Sequence, residues 1–219
     1  MLSCFRNHKS NKKEEGFFLK NGAAMLEQLI HDFNGKCNPI RMYSVKELSK
    51  ATNDYKWDDD MINREYWKFK LYKGVHQGQE ILVKTFQGWW PVSNADPVEL
   101  ITNEVAIASN MSSHKNFLKL IGCCLETELP TLIYEFPAKG NLSHHIYRES
   151  DQLLVWPTKL KIAIQVAHAV AYLHHGMTKV IVHRDITAEH IFLDQDYVAK
   201  LSSCLSSNGP YQFLPVKLM

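Results

Sequence analysis

The sequence lacks the features of a membrane-embedded or secreted protein. Its longest apolar region, residues 162–173, contains Gln165 and His168 and is shorter than the roughly 20 residues that a membrane span needs, so it indicates a core helix. The five cysteines show no paired C-x-x-C spacing, and no apolar h-region stands near the amino terminus. We therefore expect a cytoplasmic chain in a reducing compartment, without a transmembrane segment.

A strong charge of either sign is also missing. The 25 basic and 23 acidic residues give a formal net charge of +2, which is too mild to indicate binding of nucleic acid or of a membrane surface by charge alone. With 219 residues, 45% of them hydrophobic, the chain is long enough for a buried core and one or two domains. Partners must therefore be inferred from particular sites.

The amino-terminal quarter predicts a tail followed by a helical extension. Residues 1–15 are polar and rich in Lys and Asn, and we expect a flexible basic tail. Residues 16–60 predict two helices, of which the second begins with a capping box at Ser44 and Glu47. An apolar stripe on the first helix packs either on its own domain or on a partner, and both alternatives stay open. The stripe consists of Met25, Leu26, Leu29, Ile30 and Phe33.

The stretch that follows predicts a sheet with one inserted helix. The tripeptide His76-Gln77-Gly78 predicts a hairpin turn, and the apolar spacing of Val98–Met111 predicts the helix. The adjacent Cys123 and Cys124 would point to opposite faces of one strand, which indicates buried structural thiols rather than a metal pair. The predicted strands are Trp67–Tyr72, Gln79–Phe86, Phe117–Leu125 and Thr131–Phe136.

Two charged residues fall on apolar faces of these elements. Glu104 lies in the middle of the apolar face of the inserted helix, and Lys84 shares one side of its strand with Leu82 and Phe86 at period two. An isolated buried charge is costly because it loses its hydration, so we expect the two residues to pair. In the alternative, both side chains reach out to solvent.

The carboxy-terminal part carries a recognisable motif. A helix beginning at Pro157 precedes His183-Arg184-Asp185, and the order of strands, helix, strands and long helix before it resembles a protein kinase. Further segments narrow the resemblance to plant receptor-like cytoplasmic kinases, and two leader segments narrow it to the ZED-related pseudokinases. The first set is Tyr43–Asn53, Leu71–Gly74, Leu120–Cys124 and Ile133–Phe136; the leader segments are Phe17–Gly22 and Gly35–Arg41.

The resemblance implies an α+β, protein-kinase-like fold. Residues 61–136 would form a complete N-lobe, built from an antiparallel sheet plus helix C, and residues 137–219 a truncated helical C-lobe. The retained site residues would be an ATP-site ion pair, a hinge region between the lobes and a catalytic base. The ion pair would be Lys84 and Glu104, and the base would be Asp185. The hinge would consist of Tyr134, Glu135 and Phe136.

The phosphate-covering loop of the resembled family is altered here. Arg64, Tyr66 and Phe69 stand where that loop has glycines. Side chains at these positions block the close approach of the backbone to the phosphates. We therefore expect a filled mouth of the nucleotide pocket.

The catalytic loop and the metal-binding triplet are altered as well. Thr187 stands where active kinases have a lysine, His190 replaces the metal-holding Asn, and Ser203 replaces the main metal Asp. A neutral hydroxyl cannot replace a carboxylate against Mg²⁺, so no metal site is expected. A zinc site of His183, His190 and Cys204 fits no known ligand spacing.

The resemblance, together with the altered positions, implies a pseudokinase that acts as an adaptor in plant innate immune signalling. Its implied partners are a nucleotide-binding leucine-rich-repeat (NLR) receptor and other receptor-like cytoplasmic kinases, which could hold it at the plasma membrane. No cofactor is required, and weak ATP binding without Mg²⁺ stays open. The alternative functions are an atypical Ser/Thr kinase that uses Lys84, Glu104 and Asp185, and a truncated, non-functional family member.

The end of the chain motivates the last alternative. Only 14 residues follow Leu205, whereas in a kinase the activation segment and most of the helical lobe come after this point. The helix from Pro157 would then expose apolar surface, which indicates a binding site or reduced stability.

Overall fold

The computed structural model describes residues 12–33, 38–56, 69–87, 96–147, 154–177, 180–202 and 213–214. A five-stranded sheet comes first, with helices before it and within it. Its elements are α1 (Lys12–Phe33), β1 (Arg41–Met42), α2 (Val45–Ala51), β2 (Phe69–His76), β3 (Gln79–Phe86), α3 (Pro97–Met111), β4 (Leu120–Cys124) and β5 (Thr131–Glu135).

The second part is helical with short strands. It contains α4 (Leu142–Tyr147), α5 (Trp156–His175), β6 (Val180–Ile181), a 3-10 turn (Ala188–His190), β7 (Ile191–Leu193), β8 (Ala199–Leu201) and β9 (Phe213–Leu214). The strands form two small antiparallel ladders, β6 with β9 and β7 with β8. Within the described residues, no helix combines the length and the hydropathy that crossing a membrane requires.

The larger sheet has the strand order β1-β4-β5-β3-β2. Strands β2 to β5 are antiparallel as predicted, and His76 pairs with Gln79 across a two-residue hairpin. Gln77 and Gly78 have φ angles of 52° and 81°, the left-handed values of a type I′ turn. The predicted start of β2 at Trp67 lies outside the described residues.

Strand β1 is a correction to the sequence-based picture, because the extension before residue 61 is not purely helical. Arg41 and Met42 pair with Gly122 and Cys123 of β4 in parallel, so the sheet is mixed. A side chain at Gly122 would overlap the Arg41 carbonyl oxygen and the Tyr43 ring. Glycine at this position therefore lets the extension join the sheet edge.

The capping box predicted at the second helix is confirmed. The Ser44 hydroxyl accepts from the Glu47 amide at 3.2 Å, and the Ser44 amide donates to Glu47 Oε2 at 2.9 Å. These bonds satisfy amide groups at the start of α2 that have no partner inside the helix.

Helix α3 crosses the inner face of the sheet and is buried over nearly its whole length. Asp96 caps its first turn by accepting from the Val98 amide at 2.9 Å, and Pro97 occupies a position where a missing N–H is harmless. One side of α3 packs on the sheet through Ile101 and Val105, and Ile107 joins the core of the helical part. The helix therefore links the core under the sheet to the core of the helical part.

Helix α1 begins at Lys12, so the prediction of a flexible tail up to residue 15 is wrong for its last four residues. The helix packs on α3 through buried Leu29 and through the Gln28 side chain, which donates to Asn103 at 3.3 Å. The Asn21 amide group is fully buried and donates to the carbonyl oxygens of Leu125 and Thr127. These contacts fix which face of α1 points inward.

The apolar stripe predicted on this helix is divided between two faces. Met25 and Leu29 pack into the core, whereas Leu26 and Ile30 are 58% and 56% exposed. The side chain of Phe33 lies outside the described residues. Part of the stripe therefore packs on its own domain, and part of it does not.

The adjacent cysteines, Cys123 and Cys124, are buried thiols on opposite faces of the sheet, as predicted. Cys123 packs in the core between the sheet and α3, and Cys124 packs on the opposite face of the sheet. Both are free thiols, and burial raises the pKa of each to about 12. They are therefore protonated and act as small apolar side chains.

The long helix α5 also exposes apolar surface, as predicted. Leu173 and Ile162 are buried, but Trp156, Leu160 and Ile164 are 74%, 51% and 50% exposed. Residues four apart share one side of a helix, so these three side chains form a stripe along its outer face.

Candidate functional site

The predicted ion pair forms and is buried. Lys84 Nζ lies 2.7 Å and 3.0 Å from the two carboxylate oxygens of Glu104. The Lys84 side chain is 6% exposed and that of Glu104 is 0% exposed, so the alternative in which both reach solvent is wrong. The pair connects the second half of β3 to the middle of α3.

A third residue completes this contact. The hydroxyl of Tyr134, on β5, donates to Glu104 Oε1 at 2.8 Å, and Tyr134 is only 2% exposed. The sequence placed Tyr134 with the hinge, but its ring fills the core and its polar end is used by Glu104. The carboxylate therefore receives hydrogen bonds from the lysine and from the phenol, which offset its loss of hydration.

Two aromatic rings cover the rest of the lysine head group. Its Nζ lies 4.5 Å from the ring centre of Phe69 and 5.1 Å from that of Phe86, distances at which a cation is attracted to an aromatic face. Phe69, one of the three positions where the sequence lacks an expected glycine, is therefore turned inward and buried. Arg64 and Tyr66, the other two, lie outside the described residues.

The space beside Lys84, where the resembled kinases hold a nucleotide, is nearly filled. The remaining cavity has a volume of about 20 Å³, which leaves room for about one ordered water molecule. Side chains from both parts of the domain form its wall. They are Phe69, Leu71, Leu82, Lys84, Leu118, Tyr134, Glu189, His190, Phe192 and Ser202.

His183 holds the catalytic-loop region by hydrogen bonds to the main chain. Its Nε2 lies 2.8 Å from the Ser202 carbonyl oxygen, and its Nδ1 lies 3.3 Å from the Asp185 amide nitrogen. Burial lowers the pKa of His183, so the ring is neutral near pH 7. The neutral ring then donates through Nε2 and accepts through Nδ1, which matches both neighbours.

His190 is turned toward its own loop. Its Nδ1 lies 3.0 Å from the Asp185 carbonyl oxygen and 3.2 Å from the Thr187 hydroxyl. The Asp185 carboxylate is 3.6 Å from the same nitrogen. Asp185, Thr187 and His190 therefore form one local cluster, which we call the loop cluster. The neighbouring Arg184 has a left-handed backbone with φ 65°.

This cluster does not fit a Mg²⁺ ion. Mg²⁺ prefers oxygen ligands in octahedral geometry, whereas an imidazole replaces the expected amide oxygen, and its Nδ1 faces the loop. Within the described ranges, no three His, Cys, Asp or Glu side chains come together as metal ligands. Ser203 and Cys204 lie outside those ranges.

The segment that joins the two parts of the domain has few backbone donors available to a ligand. The amides of Glu135, Lys139 and Gly140 donate to carbonyl oxygens of Lys119, Leu193 and Pro137. Pro137 has no N–H at all.

The other two predicted hinge side chains, those of Glu135 and Phe136, are also engaged. The Glu135 carboxylate accepts from the Lys119 amide at 3.1 Å and lies 3.5 Å from Lys200 Nζ. The ammonium of Lys73 lies 4.4 Å from the ring centre of Phe136. The sequence analysis did not include Pro137 among the hinge residues, although the lack of an N–H follows from the residue type alone.

The sequence model of the protein tyrosine and serine/threonine kinase family matches residues 62–207. The chain belongs to this family, and the protein-kinase fold expected from the resemblance is confirmed.

Comparison with curated proteins gives relatives from Arabidopsis thaliana. The chain is 40% identical to the non-functional pseudokinase ZED1, an alignment that covers 89% of this chain and 56% of ZED1. It is 37% identical to the non-functional pseudokinase ZRK2, covering 90% and 55%, and 36% identical to the serine/threonine-protein kinase ZRK1, covering 89% and 56%. The resemblance to ZED-related kinases is therefore confirmed, and the chain spans a little over half the length of these relatives.

Among solved structures, that of the apo GRMZM2G135359 pseudokinase is similar, with a TM-score of 0.59 at 24% identity. The match covers 77% of this chain and 60% of the other. At this identity the likeness concerns the fold alone.

We expect Lys84→Met to destabilise the fold by about 3–5 kcal/mol, because it leaves the Glu104 carboxylate buried without its cation. Adding Glu104→Gln, which removes the charge but keeps an acceptor for Tyr134, should recover part of the loss. Urea unfolding of both variants measures the difference.

The matched control is Lys73→Met. Lys73 pairs with Glu80 at 2.6 Å, but their side chains are 36% and 50% exposed, and such a pair contributes about 1 kcal/mol or less. The contact of Lys73 with the Phe136 ring adds about 0.5–1 kcal/mol, so the expected loss stays below that of Lys84→Met. Equal losses for Lys84→Met and Lys73→Met would contradict a structural role for the buried pair.

Proposed function

We propose that this chain is a catalytically inactive kinase-fold protein that acts as an adaptor in plant innate immune signalling. The observation that carries the loss of catalysis is the enclosure of Lys84. Its ammonium contacts Glu104, Phe69 and Phe86 in the space where phosphoryl transfer needs a cation directed at the phosphates. A nucleotide would have to displace the Phe69 ring before it reached this lysine.

The catalytic-loop cluster supports the same proposal. Phosphoryl transfer depends on metal ions that neutralise charge and on a base that positions the acceptor. His190 is bonded within its loop beside Asp185 and supplies no carboxylate or amide oxygen. Asp185 thus keeps the position of the base without a metal-bound phosphate beside it.

The names of two relatives support a non-catalytic function. ZED1 and ZRK2 are both named non-functional pseudokinases. A fold that keeps its core but loses its catalytic groups retains its outer surfaces, which serve protein binding. We propose an NLR-type receptor as the main partner and other receptor-like cytoplasmic kinases as further partners, at a cytoplasmic location that includes the plasma membrane when partners are bound there.

An atypical Ser/Thr kinase is the second candidate, because Lys84, Glu104 and Asp185 are present and one relative, ZRK1, is named a serine/threonine-protein kinase. The two functions differ in their need for Mg-ATP, so nucleotide binding separates them.

We expect ATP with Mg²⁺ to leave the melting temperature of the wild-type chain unchanged within 1 °C, since the pocket is filled. Phe69→Gly removes the ring that covers Lys84 and should produce a measurable stabilisation by ATP that does not depend on metal. Differential scanning fluorimetry with ATP, with and without Mg²⁺, gives both results.

Phe69→Leu is the control, because it removes the aromatic ring but keeps an apolar side chain in the cavity. It should respond to ATP as the wild type does. A large Mg²⁺-dependent shift for the wild-type chain, together with phosphotransfer that Asp185→Asn abolishes, would support the kinase instead.

The adaptor function predicts that an NLR-type receptor co-precipitates with this chain and that Asp185→Asn does not reduce the amount recovered. Asp185 is 31% exposed on its side chain and lies within the loop cluster, so the change leaves the outer surfaces intact. If neither the wild type nor the Asp185→Asn variant recovers such a receptor, the adaptor proposal is overturned. The argument that catalysis is lost would not be affected.

A further inference from the structure

Helix α1 carries a second apolar face, outside the face that packs on α3. Leu19, Leu26 and Ile30 are 70%, 58% and 56% exposed, and Ala23 between them is also exposed. At 3.6 residues per turn these four positions lie within about 60° of one another around the helix. We call them the α1 seam.

The spacing within the α1 seam is four, three and four residues. Alternating steps of four and three place side chains along one line on a helix and are the pattern by which two helices pack in a coiled coil. Scattered exposed apolar residues need no explanation, but a continuous line of this spacing indicates a helix as its partner.

We propose that the α1 seam binds the same seam of a second copy of this chain, with the two helices antiparallel. The steps of four, three and four residues between the seam positions are the same when counted from either end of the helix. A two-fold axis near residues 24 and 25 therefore places Leu19 opposite Ile30 and Ala23 opposite Leu26 of the second copy, and the same contacts occur twice. A symmetric dimer requires this self-complementarity.

The charges beside the seam fit the same arrangement. Lys20 and Glu27 are exposed and each follows a leucine of the seam by one residue, so they lie on the same flank. In an antiparallel pair of helices, this flank lies beside the same flank of the second copy. Lys20 of each copy then faces Glu27 of the other. Lys20 also lies 4.0 Å from Asp96, but that pair is long and exposed, so it leaves Lys20 able to move.

The small size of the seam limits the strength of the dimer. An interface with three large apolar side chains from each copy is smaller than the roughly 1,200 Å² of a standard stable complex. We therefore expect a weak dimer with a dissociation constant in the micromolar range, which appears as the concentration rises. The proposal does not depend on the adaptor function.

Sedimentation equilibrium of the full chain over a range of concentrations tests the proposal. Leu26→Glu should raise the dissociation constant at least tenfold, because it places a charge in the seam. Leu160→Glu is the matched control, since Leu160 on α5 is exposed to a similar degree, and it should have no effect. A monomer at every concentration, or a dimer that only Leu160→Glu disrupts, would overturn the proposal.

Charge reversal tests the antiparallel orientation. Lys20→Glu and Glu27→Lys should each weaken the dimer severalfold by placing like charges across the axis, and the double reversal should restore it. An equimolar mixture of the two single variants should form a heterodimer in preference to either homodimer. Loss of the Asp96 contact cannot explain this rescue, because the double variant also lacks it. Failure of the mixture to associate would contradict the antiparallel arrangement.

Discussion

The buried contact between Lys84 and Glu104 is the constraint on which the rest of the domain depends. Two opposite charges removed from water are stable only if they meet each other with good geometry and if further groups satisfy them. Their 2.7 Å contact fixes α3 against β3, and Tyr134 extends the connection to β5. Because the other sides of α3 pack on α1 and on the helical part, the pair also positions elements that it does not touch.

The same contact explains how a catalytic site loses its chemistry while its fold persists. In a kinase the lysine would be shared between the helix and the phosphates. Here Phe69 and Phe86 cover the ammonium, so the lysine serves the fold alone. His190 changes the catalytic loop in a comparable way, since its ring bonds the Asp185 carbonyl and the Thr187 hydroxyl. The altered residues thus replace ligand contacts by contacts within the protein.

Much of this arrangement follows from local patterns in the sequence. The pairing of Lys84 with Glu104 was predictable because each falls on an apolar face, and the capping box at Ser44 was predictable from residue type and spacing. The other features depend on tertiary contacts, which local sequence patterns do not reveal. The two-residue strand at Arg41 has no periodicity of its own, and helical spacing on α1 identifies the apolar positions without saying which of them, Leu29 or Leu26, faces the core. The inward turn of Phe69 likewise depends on a contact with the cation of Lys84 on the neighbouring strand, which the spacing of apolar residues does not reveal.

Chemical access to the Lys84 amine tests the central claim most directly. Reductive methylation followed by mass spectrometry, with and without Mg-ATP, compares Lys84 with the exposed Lys159 of α5. If Glu104 and the two rings enclose the ammonium, Lys84 stays unmethylated under conditions that modify Lys159 fully, and Mg-ATP changes nothing. Rapid methylation of Lys84 that Mg-ATP suppresses would contradict the account, because it would require an open site in which the lysine meets the nucleotide.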